Sequence, residues 1–278
     1  MGVHSPEFEF EKVTENVVQS MNAFGLEYPV AQDNDFRTWR AYSNRAWPAK
    51  YLVDKDGVIR YKHFGEGAYR ETERQIRQLL EVAGADLSRI RASDALEPRP
   101  DRAARARNLG DRLTRELYGG YRRNNTRSGI YFAQEQYYDG PERVVDYVDP
   151  GDHKNHHIYL QGPWFNGQEA LRHARVTEGY EDYIAIRFSA TSVNVVIDPG
   201  DSGPFEVQVT IDGRPLQAEE AGIDVVVADG RSFLRVDEGR MYQVVALTEY
   251  ESHDLRLSSQ SDNFSMFAFT FGAYEQGP

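Results

Sequence analysis

From Ile184 almost to its end, the chain places an apolar residue at every second position. Ile184, Ile186 and Phe188 begin the pattern, followed by Val193, Val195 and Ile197, then Val207, Val209 and Ile211. It continues through Val225 and Val227, Tyr242, Val244 and Ala246, Leu255 and Leu257, and Phe267, Phe269 and Phe271. A period of two lines one face of a strand and cannot line one face of a helix, so this part of the chain is committed to β-structure. Asp198 to Gly203, Asp212-Gly213 and Asp229-Gly230 supply turns between the runs. Seven or more short strands separated by such turns predict an all-β antiparallel sandwich of jelly-roll type over residues 114–276.

The first 84 residues change period repeatedly, the mark of an α/β unit. Gly2-Val3-His4 reads as a strand end. Ser5-Pro6-Glu7 then reads as a helix start, with Phe10, Val13, Val17 and Met21 on one face and Gly25 as the stop. A short strand at Tyr28 to Ala31 precedes Asp33, which caps a second helix through Phe36, Trp39 and Tyr42. Lys50 to Val53 and Val58 to Phe64 form a hairpin about Asp54 to Gly57, and Tyr69 to Ala83 form an amphipathic helix with Ile76, Leu79 and Leu80 inward. Between the two parts, residues 85–113 turn rich in Arg, Asp and Ala around Glu97-Pro98-Arg99-Pro100, which predicts a linker with a helical segment.

Composition excludes several functions. A formal charge of -12 repels phosphate backbones and argues against nucleic-acid binding. The longest apolar runs are far too short for a membrane span, and Met1 to Phe10 lack the basic and apolar blocks of an export signal. The chain contains no cysteine, so it has neither disulfides nor a thiol of its own. Nothing in it calls for a cofactor.

One loop stands out. In Asn44-Arg-Ala-Trp-Pro48 a proline precedes an apolar strand that runs on into a hairpin and a final helix. Helix, X-Pro, strand, turn, strand, helix is the order of the C-terminal half of a thioredoxin fold. By itself an X-Pro before a strand is as well read as an ordinary trans proline opening an edge strand.

The wording of four segments goes further. GVHSPEF (Gly2 to Phe8), YPVAQDN (Tyr28 to Asn34), WPAKYLVD (Trp47 to Asp54) and HFGEGAY (His63 to Tyr69) together resemble the exported thioredoxin-like domain of the DipZ family. That family belongs to cytochrome c biogenesis and thiol-disulfide reduction. TRELYGG (Thr114 to Gly120), LQGPW (Leu160 to Trp164) and FAFTFG (Phe267 to Gly272) resemble the carbohydrate-binding-module-like domain that follows thioredoxin in the same proteins. The resemblance implies a cis Trp47-Pro48 bond and a substrate-facing loop at Trp47 and Pro48. It also implies disulfide-bearing exported proteins and a membrane electron donor as partners, in an extracytoplasmic location. Family members carry a Cys-X-X-Cys helix ahead of the strand that ends here at Val3. That strand and helix are absent from this chain, so the α/β domain is expected to be incomplete, inactive in redox as it stands, and a truncated piece of a longer protein. Residues 1–83 alone are then expected to be poorly stable or aggregation-prone.

Other candidates are weighed from their residues. Glu66, between Gly65 and Gly67 near the end of the hairpin, is either a proton shuttle or an exposed carboxylate capping the next helix. Trp39 is expected in the core. For a glycan, the aromatic candidates are Tyr137, Tyr138 and Trp164. Neighbouring tyrosines in a strand must point to opposite faces, so one of that pair should face out, whereas Trp164 reads rather as architecture. The alternative function is accordingly a non-catalytic glycan-binding or docking module with the α/β part as scaffold. His153, His156 and His157 are the only histidine cluster, a weak metal candidate for want of an evident acidic ligand.

Overall fold

The computed structural model describes residues 1–92, 113–126, 129–200 and 203–272. These fall into two compact units, one drawn from Met1–Pro6 and Tyr28–Asn108, the other from Glu7–Glu27 and Leu109–Pro278. Most of the expected linker, residues 93–112, lies outside the described residues, as do positions 201 and 202 of the turn after Ile197. Among the described residues no helix is long and apolar enough to cross a membrane.

The first elements are β1 (Gly2–His4), α1 (Thr14–Ala23), β2 (Val30–Gln32), α2 (Arg37–Ala41), β3 (Ala49–Val53), β4 (Ile59–Phe64) and α3 (Tyr69–Val82). β1 and β2 pair in parallel, Gly2 opposite Val30, while β3 and β4 form the expected antiparallel hairpin, Ala49 opposite Phe64. The hairpin turn is set by Asp54, whose Oδ1 accepts the N–H groups of Asp56 and Val58 at 2.9 Å, and by Gly57 at φ 80°. α3 ends where Gly84 takes φ 94°, a backbone conformation that costs glycine least.

Packing in this unit departs from the expectation of a buried helix face. Ile76 remains 39% and Leu80 42% exposed. Among the unit's described residues only Pro6 and Asp33 are buried. The amphipathic pattern of α3 is real, but among the described residues its apolar face is only partly covered.

The second unit begins with residues that sequence periodicity assigned to a single helix. Instead a 3-10 turn at Glu9–Lys12 is followed by a break at extended Val13 and then by α1. Tertiary contacts explain the break. Phe8 is buried, and the Phe8 and Phe10 rings both meet Phe267 edge-on at 5.0 and 5.1 Å. Glu7 pairs with Arg123 and accepts the Tyr118 hydroxyl at 3.0 Å, and the Glu9 N–H donates to Glu169 at 3.0 Å. A straight helix from Glu7 cannot present Glu7, Phe8 and Phe10 to one surface, since consecutive residues there point about 100° apart.

Beyond residue 113 the chain is β-rich. The strands are β5 (Leu117–Tyr118), β6 (Asn125–Thr126), β7 (Gly129–Ile130), β8 (Val144–Tyr147), β9 (Ile158–Asn166), β10 (Leu171–His173) and β11 (Tyr183–Asp198). They continue with β12 (Phe205–Ile211), β13 (Arg214–Pro215), β14 (Val225–Ala228), β15 (Arg231–Val236), β16 (Arg240–Ser259) and β17 (Ser265–Gly272). The main sheet runs β14-β15-β12-β16-β11-β17-β10-β9-β8, with every pair antiparallel. A further pairing of β9 with the first residues of β11 makes the path β11-β17-β10-β9 return on itself.

β11 and β16 are long because each serves two neighbourhoods. β11 pairs β9 through Tyr183 to Ile186 and β17 through Ser192 to Asp198, with register shifts at Ala190/Ser192 and Val193/Asn194 where the strand bends. The alternating residues line the core as their period requires: Val193, Val195, Ile197, Val207, Val209 and Ile211 are all buried. The Asp212-Gly213 and Asp229-Gly230 turns have positive φ at both residues, the backbone of tight hairpins. β14 is an edge strand, so Val226 and Val227 stay exposed.

Because the Phe8 ring is buried against Phe267, Phe8→Ala should weaken the attachment of residues 7–27, by about 3 kcal/mol for a buried aromatic truncation. Hydrogen exchange read residue by residue should then accelerate in α1 and stay unchanged in β11 and β16. Equal acceleration in both, or none in α1, would contradict this packing.

Candidate functional site

The Trp47-Pro48 loop joins α2 to β3, and its peptide bond is cis. The Gly65 N–H donates to the Pro48 carbonyl at 2.8 Å, which continues the β3–β4 ladder up to the proline. Trp47 is 47% exposed. Its Nε1–H donates to the Ser5 carbonyl at 3.0 Å, and its ring lies 4.3 Å from that of Trp39, which in turn meets Phe36 edge-on at 5.8 Å. Trp39 is therefore half-buried between two aromatic rings rather than inside an apolar core.

Asp33 holds this group together from below. Its Oδ1 accepts the Thr38 N–H at 2.9 Å, and its Oδ2 accepts the Trp39 N–H at 2.8 Å and the Ser5 hydroxyl at 3.2 Å. Burial opposes charge on this carboxyl, but the N–H groups of Trp39 and Thr38, the Ser5 hydroxyl and the Arg37 N–H prevail and hold it below the usual carboxylate range. Glu66 stands exposed on the turn between Gly65 at φ 86° and Gly67 at φ 95°, with its carbonyl 3.4 Å from His63 Nε2. It does not cap α3, whose first turn is preceded by Ala68 with no side-chain cap.

The aromatic candidates for a glycan lie elsewhere, in the β-rich unit. Tyr137 and Tyr138 sit at the end of a 3-10 turn, not in a strand, so the alternation that would turn one outward does not apply. Tyr137 is 1% exposed and stacks on Phe132 at 3.6 Å. Its hydroxyl donates to the Gly119 carbonyl at 2.8 Å and accepts from the Asn124 amide, and burial raises its pKa strongly. Tyr138 is half-buried and accepts the Phe132 N–H at 3.0 Å. Trp164 is fully buried, with Nε1–H donating to the Gln161 carbonyl at 2.9 Å and its ring against His173 and Phe264. A ring must offer a free face to stack on a sugar, and Tyr137 and Trp164 have none.

The three clustered histidines go to separate partners. His153 is nearly buried, with Nε2 2.9 Å from Asp149 and Nδ1 3.0 Å from Asp254. The chain thus supplies it with two carboxylates that spacing did not reveal, from four residues upstream and from β16. Asp149 also accepts the Tyr183 hydroxyl at 2.7 Å; burial and that carboxylate push the Tyr183 pKa up to about 12. His156 Nδ1 accepts the Arg115 N–H at 3.2 Å, and burial with the Arg115 charge lowers its pKa. His157 turns to the Asn155 carbonyl at 3.0 Å. Among the described residues, no three His, Asp or Glu side chains are grouped to hold a metal ion.

Two further histidine sites escaped sequence reasoning. Buried His173 lies 2.9 Å from Asp182, which accepts two bonds from Arg175 at 2.7 and 2.8 Å beneath Trp164. A Cβ on Gly162 would fall 2.0 Å from Asp182 Oδ1, so this motif glycine makes room for the ion pair. His253 stands between Asp212 at 2.7 Å and Glu251 at 2.9 Å. Its pairing with Glu251 was legible, because residues two apart share a strand face; the pairing with Asp212 depends on a hairpin tip brought in from elsewhere.

Burial opposes charge on His253, but the hydrogen bonds with Asp212 and Glu251 prevail and raise its pKa. A raised folded-state pKa means the contribution to stability is complete below the unfolded value of about 6.5 and fades as pH rises through the folded value. An NMR titration should accordingly find His253 titrating above 6.5, and Asp212→Asn should bring it down. A midpoint unmoved by that substitution would show that the Asp212 contact is not holding the proton.

With this geometry in hand, known proteins give the family. Residues 114–272 match the family model described as thioredoxin like C-terminal domain. The DipZ proteins of Mycobacterium tuberculosis and Mycobacterium bovis are each 32% identical to this chain over 273 residues, 98% of its length and 34% of theirs. The NHL repeat-containing protein 2 of Bos taurus is 30% identical over 67 residues, 24% of this chain and 9% of that protein. The chain spans about a third of the length of the DipZ proteins it matches. It belongs to the thioredoxin-like C-terminal domain family and represents the C-terminal region of a DipZ-type protein.

Proposed function

We propose that this chain is the substrate-recognition portion of an exported thiol-disulfide oxidoreductase whose reactive cysteines lie in polypeptide outside it. The observation that carries this reading is the exposed indole of Trp47, held beside Pro48 at the start of β3 by a hydrogen bond to Ser5. An apolar face next to an extended backbone suits a peptide segment bearing a disulfide.

In the complete protein a Cys-X-X-Cys pair would supply the chemistry. One thiolate attacks a substrate sulfur to form a mixed disulfide and releases the other substrate sulfur as a thiolate. The second cysteine then displaces the substrate and closes the pair, so two electrons and two protons pass to the substrate disulfide. A membrane-embedded donor would return the pair to its reduced state on the extracytoplasmic side. This chain has no cysteine and by itself would be inert in that exchange. Exposed Glu66 would be the candidate to relay a proton to the pair.

In domain terms we infer a partial thioredoxin-like domain over 1–84, a linker over 85–113 and a jelly-roll-like module over 114–276. The glycan-binding reading of that module now rests on Tyr138, the half-buried candidate of the three.

The test is to join this chain to the polypeptide encoded in frame upstream and measure reduction of a protein disulfide such as that of insulin. The longer protein should be active and this chain alone inactive. Trp47→Ala in the longer protein should lower kcat/KM by about tenfold, the equivalent of about 1.4 kcal/mol of lost contact. An upstream frame without a cysteine pair, or an unchanged kcat/KM in the variant, would sink the reading.

A further inference from the structure

Among its described residues the α/β unit has almost no buried apolar side chain, yet it buries one carboxylate. Asp33 is 6% exposed. Removing a charge from water is unfavourable unless hydrogen bonds replace the lost solvation, so a carboxylate in this position needs a full set of donors. It has them: the N–H groups of Thr38 and Trp39 and the hydroxyl of Ser5. Its own N–H donates to the His4 carbonyl at 2.8 Å, and its carbonyl accepts the Phe36 N–H at 2.8 Å. One residue therefore ties the end of β1 to the first turn of α2.

Those ties close into a ring that passes through the loop. Asp33 Oδ2 holds the Ser5 hydroxyl, the Ser5 carbonyl receives the Trp47 indole N–H at 3.0 Å, the Trp47 ring rests 4.3 Å from that of Trp39, and the Trp39 N–H returns to Asp33 Oδ2 at 2.8 Å. Two contacts of the Trp47 indole, one at its nitrogen and one at its face, are thus made by residues that Asp33 holds.

We propose that Asp33 is the positioning residue of the Trp47-Pro48 surface, fixing the angle at which the Trp47 indole faces an incoming peptide. Its relevance to thiol exchange rests on the functional reading given above; the positioning itself does not. Asp33 touches no substrate and acts through Ser5 and Trp39. Its loss would loosen these two contacts of Trp47 at once, whereas loss of the Trp39 ring would leave the Ser5 bond in place.

The test uses the 278-residue chain, which has three tryptophans. Single Trp→Phe variants assign the three indole N–H resonances, and Trp164, buried in the other unit, serves as the internal control. In Asp33→Ala the Trp47 indole N–H should shift and exchange with solvent roughly tenfold faster, with Trp164 unmoved. Asp33→Asn retains one acceptor oxygen and should give a smaller change of the same kind, while Trp39→Leu should shift the Trp47 resonance and retain slow exchange. A Trp47 resonance and exchange rate as in the parent chain in both Asp33 variants would overturn the proposal. Should Asp33→Ala lose the dispersed amide signals of residues 28–92, the milder Asp33→Asn and Trp39→Leu decide the matter. In the longer protein, Asp33→Asn should raise KM for a protein disulfide severalfold with little change in kcat. Released Trp47 with no effect on KM would retain the positioning role and refute the functional reading.

Discussion

The pairing of β11 with β16 is the constraint on which the β-rich unit depends. These two strands run side by side from Tyr183 opposite Ser258 to Ile197 opposite Arg240, bending together at two register shifts. The bend lets the first half of β11 pair with β9 and the second half with β17, so that one strand belongs to both ends of a path that returns on itself. Side chains at the centre of β11 are consequently buried on both faces, including Ser189, Thr191, Ser192 and Asn194 along with the alternating valines. The same closure draws Trp164 and Tyr137 inward and leaves their polar atoms to be satisfied by main-chain carbonyls.

The α/β unit is held in another way. Its amphipathic helix has apolar residues at the proper spacing, but Ile76 and Leu80 remain substantially exposed. Order around the Trp47-Pro48 loop comes from directional contacts instead: a carboxylate with several donors, an indole N–H on a carbonyl, and two indole rings in tilted contact. Such contacts fix angles well and bury little surface, and they leave Trp47 47% exposed. The consequence is that a single buried residue, Asp33, bears on the geometry of the whole Trp47-Pro48 loop.

Segment 7–27 shows how readily tertiary packing overrides a local pattern. Phe10, Val13, Val17 and Met21 have helical spacing, and a helix does form from Thr14. Ahead of it, Glu7, Phe8 and Phe10 are claimed by Arg123, Tyr118 and Phe267, and the backbone opens at Val13 to let them reach. The strands of the large antiparallel sheet behaved otherwise, because their neighbours demand the same period of two that the chain carries. Local preference and tertiary demand coincide there and conflict at Val13.

Periodicity, turn chemistry and wording were local properties, and they were enough to determine the β-rich half, the β3–β4 hairpin, α3, the Trp47-Pro48 loop and the absence of any thiol. Partnership was not local. That His153 meets Asp254, that His253 meets Asp212, that Trp164 is sealed over an Asp182 ion pair, and that Asp33 reaches both Ser5 and Trp39 were decided only when distant strands and turns met. An aromatic or charged residue has the same sequence signature whether it faces water or protein, and which it faces is set by the surface that closes over it.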